Sequence, residues 1–99
     1  MKRLIVLRHA KSSWEEIGLS DFDRPINKTG IIAAQNMGAF INAKEDNTDL
    51  VLSSSAKRAF ETAQIVARAI NYDINRIEAE KELYLACVNE ILKSIRKIP

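Results

Sequence analysis

Residues 4–7, Leu-Ile-Val-Leu, constrain the fold more than any other stretch of this chain. The run is wholly apolar and β-branched at its centre, too short for a helix, and has no polar face to offer water. Such a segment reads as a strand buried on both faces of a parallel sheet. Arg8 and His9 follow at once, then Ala10, Lys11, Ser12 and Ser13. Open α/β sheets bind ligands beyond the carboxyl ends of their strands, so this step from apolar to polar is where a site belongs. His9 is the single histidine. Taken alone, an Arg-His pair after a strand is more often an ordinary polar turn.

Further along, strand and helix signals alternate. Residues 12–26 form a polar loop closed by Asp23-Arg24-Pro25, where Pro25 holds Arg24 extended. Asn27 is the N-cap of a first helix running to about residue 43, with Ile31, Ile32, Gln35, Met37, Ala39, Phe40 and Ile41 at helical spacing. Gly38 within it allows close packing, expected on the sheet. Residues 50–52, Leu-Val-Leu, read as a second strand. Ser53-Ser54-Ser55 then offers an N-cap to a second helix over 56–70, whose stripe is Ala59, Ala63, Val66, Ala67 and Ile70. A turn over 71–75 leads to a third brief strand at 76–78. The last helix, about 88–95, places Val88, Ile91, Leu92 and Ile95 on one face. With no repeat, linker or low-complexity tract, residues 1–99 make one domain. Alternating strands and helices argue an α/β class with a parallel sheet and helices on both faces.

Composition narrows the function. Fifteen basic residues against thirteen acidic leave a net charge of +2, too little to mark nucleic acid or an anionic membrane as the main partner. The one cysteine, Cys87, rules out an internal disulfide and a cysteine-based zinc cluster, and its apolar neighbours predict a buried, inert thiol. The apolar run at the N-terminus is too short for a signal sequence, and no window reaches the roughly 18 apolar residues of a membrane helix. The expectation is a soluble cytoplasmic protein.

The two strand ends carry the chemistry. Parallel strands bring Arg8 and His9, after the first, to the same sheet edge as the serines and Arg58, after the second. A helix N-terminus adds backbone N–H groups and partial positive charge. Two guanidinium groups can grip a phosphoryl group bidentately while a neutral imidazole nitrogen attacks phosphorus in line. That chemistry calls for no cofactor and no metal. The plain alternative for Arg58 is a solvated residue in a helix turn.

Three stretches together resemble the histidine phosphatase superfamily, the phosphoglycerate mutase-like fold. They are Leu-Arg-His-Ala-Lys-Ser-Ser-Trp (7–14), Asp-Phe-Asp-Arg-Pro-Ile-Asn-Lys-Thr-Gly (21–30) and Ser-Ser-Ser-Ala-Lys-Arg-Ala-Phe-Glu-Thr-Ala (53–63). Within that superfamily they are most similar to phosphohistidine phosphatases of the SixA type. The resemblance implies a three-layer α/β/α fold. It also implies that His9 is the phosphorylated nucleophile, with Arg8 and Arg58 clamping the phosphate and Ser12 supplementing the pocket. Glu82 falls where larger members carry an acidic proton donor; a solvated surface charge is the plain alternative. The implied substrate is a phosphohistidine protein or a small phosphoester. Two departures stand out. Ala10 replaces the usual glycine, and the second histidine, usually in a Gly-His-Asn motif after a later strand, is missing. The chain therefore reads as a truncated domain without its C-terminal strands, with two consequences. It is either a phosphatase or a catalytically silent or weakened phosphate-binding fragment, and its unpaired strands offer a route to self-association.

Overall fold

The computed structural model describes residues 3–9, 20–44 and 47–98. Its elements run in the order α1 (Lys28–Lys44), β1 (Leu52–Ser54), α2 (Lys57–Ala69), β2 (Glu78–Glu80) and α3 (Val88–Arg96). Single 3-10 turns at Asp21–Asp23, Ile74–Arg76 and Lys81–Leu83 punctuate them. β1 and β2 pair in parallel, Leu52 opposite Glu78 and Ser54 opposite Glu80, with α2 as the crossover that a parallel pair requires. The class is α/β, as the alternation of signals predicts.

Local chemistry sets the helix ends. Asn27 caps α1 through its side-chain oxygen, which accepts from the Gly30 N–H at 2.8 Å. Pro25 leaves Arg24 extended, at φ −68° and ψ 124°. α2 ends in a left-handed residue, Asn71 at φ 61°. There the Tyr72 N–H reaches the Ala67 carbonyl at 2.8 Å and the Asn71 N–H reaches that of Arg68 at 3.3 Å. This pair of bonds satisfies carbonyls that a helix terminus would otherwise leave open.

The core lies mainly between α1 and α2, and it is built from small side chains. α1 buries Gly30, Ala34, Gly38 and Ile41, spaced three to four residues apart. Val66 and Ala67 of α2 are also buried. A Cβ built on Gly38 would stand 2.5 Å from the Ala69 Cβ and 3.3 Å from the Val66 Cα. The glycine thus permits close approach of α2, not of the sheet as the sequence suggested.

Several other expectations change. Residues 4–7 carry no strand and are exposed, Val6 at 82%. Among the described residues the sheet has only β1 and β2, so no ladder is present to take up the N–H and C=O groups of this segment. It lies instead along α1, and Ile5, Val6 and Leu7 share a cleft of about 300 Å³ with Met37, Phe40, Ile41 and Lys44. The second and third strands, expected at 50–52 and 76–78, sit two residues later, at Leu52–Ser54 and Glu78–Glu80. Two hydrogen bonds extend the ladder at its ends, Glu78 N–H to the Val51 carbonyl and Ser55 N–H to the Glu80 carbonyl. Ala56, not a serine, occupies the N-cap of α2, while the Ser54 hydroxyl accepts from the Ala56 N–H at 3.2 Å. Large apolar residues of α1 (Ile32, Met37, Phe40) face outward because its small-residue face is the one that packs. On α3, among the side chains described, Ser94 is buried, its hydroxyl donating to Glu80 at 2.8 Å, and Ile95 is half-buried, whereas Ile91 and Leu92 are exposed; the Val88 side chain lies outside the described residues. Cys87 is exposed too, its thiol 3.3 Å from a Glu90 carboxylate oxygen, so the expectation of burial fails. Among the described residues no helix is long and apolar enough to cross a membrane.

Candidate active site

The parallel pairing puts the carboxyl ends of β1 and β2 at one edge. Arg58 enters there from the first turn of α2, and the Lys81–Leu83 turn, carrying Glu82 and leading to Tyr84, enters from β2. That turn packs against β1, and the Asp21–Asp23 turn packs against α2. Three segments distant in sequence therefore meet where the two strands end.

At their meeting point Arg58 is buried, at 6% exposure. Its Nη1 donates to the Asp21 backbone carbonyl at 2.5 Å and its Nη2 to Asp21 Oδ2 at 3.0 Å. The Tyr84 hydroxyl donates to the same Oδ2 at 2.5 Å. Arg24, also buried, forks onto the other oxygen, with Nε and Nη2 at 3.2 and 2.9 Å from Oδ1. The Arg58 guanidinium lies 5.7 Å from the centre of the Tyr84 ring, which meets Phe22 edge-on at 5.0 Å. Glu61 accepts from the Ile26 N–H at 3.2 Å, so α2 fixes residues 20–26 at two points, Asp21 through Arg58 and Ile26 through Glu61.

These contacts set the electrostatics. The hydrogen bond from Tyr84, then those from Arg24 and Arg58, hold the Asp21 carboxyl at about 2, below the ordinary 3.8. The same bond raises the Tyr84 phenol above its usual 10, because ionising it would set two anions in contact. One Arg58 group is left over. Its Nε is buried and has no hydrogen-bond partner. A buried donor left unpaired costs about 1–3 kcal/mol, so an acceptor arriving there recovers that cost.

Arg58 is thus not the solvated helix residue of the plain alternative. Arg8 is exposed and His9 half-buried at the end of segment 3–9. Glu82 is exposed on the turn after β2, at the same sheet edge as Arg58. Ser12 lies outside the described residues, as do Ala10, Lys11, Ser13 and Trp14. The cluster that surrounds Arg58, namely Asp21, Arg24 and Tyr84, was given no role by the sequence. Asp21 and Arg24 at i and i+3 before a proline are a legible ion pair (P at the turn, opposite charges three apart), whereas no sequence signal points to Tyr84. Among the described residues no group of three His, Cys, Asp or Glu side chains gathers as a metal ion would need.

Comparison with known proteins agrees with this architecture. The model of the histidine phosphatase superfamily (branch 1) matches residues 4–96. SixA from Agrobacterium tumefaciens, assigned as a phosphohistidine phosphatase, superposes with a TM-score of 0.82 at 35% identity, over 93% of this chain and 58% of that one. A protein histidine phosphatase SixA complexed with tungstate gives a TM-score of 0.80 over the same shares, and at 22% identity it bears on the fold alone. An uncharacterised chloroplastic protein of Arabidopsis thaliana is 44% identical over 61 residues, covering 62% of this chain and 28% of the plant protein. The chain spans less than two-thirds of the length of each of these relatives. A match over residues 4–96, together with the parallel strand ends and the buried arginine that follows them, makes the chain a member of the histidine phosphatase superfamily, branch 1.

Proposed function

We propose that this chain carries the phosphoryl-binding part of a phosphatase acting on a phosphohistidine protein or a small phosphoester. The observation that carries the reading is Arg58, a buried arginine at a shared strand edge with an unpartnered Nε. In the proposed reaction a His9 ring nitrogen attacks phosphorus in line, and the bond from phosphorus to the leaving group breaks. Arg8 and Arg58 neutralise charge on the phosphoryl oxygens. Glu82 is the candidate to give a proton to the departing atom. Water then attacks the phosphohistidine, the P–N bond breaks, and inorganic phosphate leaves with the imidazole restored.

Treating the protein with phosphoramidate tests this. The expected product is one acid-labile phosphoryl group on His9, seen in intact mass, and absent from His9→Ala. A label that persists in His9→Ala overturns the assignment. One observation favours a second reading: the sequence has a single histidine, where the resemblance implies two. Loss of one preorganised partner to the transferring group lowers rates by about 10²–10³. The chain would then bind phosphate without turnover above background.

A further inference from the structure

We propose that Asp21 is a positioning residue for the oxyanion site, holding the Arg58 guanidinium by its end so that the Nε edge faces the phosphoryl group. The proposal rests on the reading of Arg58 as a phosphoryl ligand. A guanidinium offers five N–H groups in a planar fork. Asp21 takes the end of that fork with two atoms of one residue, its carbonyl on Nη1 and Oδ2 on Nη2. The Nε–H, buried and without an acceptor, belongs to the side edge, which with the neighbouring terminal N–H matches two oxygens of a tetrahedral oxyanion. The carboxylate is itself fixed, by the Arg24 fork on Oδ1 and the Tyr84 hydroxyl on Oδ2, so it acts as a stop and not as a swinging lid. Two arginines around one aspartate leave the cluster cationic, still suited to an anion.

Positioning and charge make opposite predictions, which gives the test its sign. A carboxylate beside an anion site repels the ligand, so removing its charge alone would tighten anion binding. Removing a positioning group weakens it. Tungstate affinity is measured by calorimetry for the native chain, Arg58→Ala, Asp21→Ala, Asp21→Asn and Tyr84→Phe, each checked for folding by thermal unfolding. Asp21→Ala is expected to lose affinity on the order of tenfold. Both substitutions leave the main-chain carbonyl on Nη1, but Asp21→Asn also keeps a side-chain oxygen acceptor for Nη2 and should lose less, and Tyr84→Phe should fall between native and Asp21→Ala. Equal or tighter binding in Asp21→Ala, or in Asp21→Asn and Tyr84→Phe should Asp21→Ala not fold, overturns the positioning role. No tungstate binding by the native chain, or binding unchanged by Arg58→Ala, overturns instead the reading of Arg58 on which it rests.

Discussion

Asp21 accepts from one tyrosine and two arginines, yet its side chain is 40% exposed. Those donors prefer the ionised carboxylate, which is why its pKa sits at about 2 against an ordinary 3.8. The linkage follows with a definite sign. A carboxyl whose folded pKa is depressed contributes stability that is complete above the unfolded value, and that drains away as pH falls through the folded one. Melting temperature should therefore drop between about pH 4 and pH 2 in the native chain. Asp21→Asn should be less stable at pH 6 and lose less over that acid window. Equal acid slopes for the two proteins, measured by circular dichroism melts across the series, would remove Asp21 from the ionic centre of the fold. Arg58 illustrates what a sequence can hold at this scale. Its motif marked it as a phosphate ligand, but the loop residue and the tyrosine that grip it are 37 and 26 positions away in the chain, beyond any local pattern.

Among the elements, the contact between α1 and α2 decides most of the packing, and Gly38 sits at its closest point. Alanine is intrinsically the better helix residue by about 1 kcal/mol. Here its methyl would meet the Ala69 Cβ at 2.5 Å and the Val66 backbone at 3.3 Å, so the helices must separate. Overpacking of this kind costs about 1–3 kcal/mol, enough to outweigh the propensity gain. Gly38→Ala should lower stability in urea melts, and adding Ala69→Gly should recover part of the loss. A variant as stable as native would mean that the helices are not held at this distance. Helix limits were legible because they depend on nearby residues: Asn27 before α1, Asn71 after α2. Which face of α1 turns inward was not. The apolar periodicity pointed to Met37 and Phe40, while proximity to α2 selects the small residues Gly30, Ala34 and Gly38. The strands begin two residues later than the sequence predicts for a related reason. The apolar run at 50–52 is plain and Ile77 hints at a second strand, but a ladder exists only where a partner lies, and Glu78 finds Leu52.

At the scale of the molecule, the same logic explains residues 4–7. Their composition says that they suit a buried strand; it cannot supply the strand beside them. In the described fold they lie exposed next to outward-facing Met37 and Phe40, a continuous apolar band along one side of α1. Exposed apolar patches and unpaired strand groups both favour association between chains. A second copy of this chain offers the same segment, so the two can pair edge to edge. The isolated 99-residue chain should accordingly sediment faster as its concentration rises. Val6 is the most exposed residue of the run, at 82%, and only borders the cleft along α1, so a lysine there disturbs little packing within one chain. Its charge at the edge should oppose pairing. Val6→Lys is expected to sediment as a monomer over the same range with an unchanged melting temperature. Concentration-dependent sedimentation that survives the substitution would place the contact elsewhere, with the exposed Ile91 and Leu92 of α3 the next surface to charge.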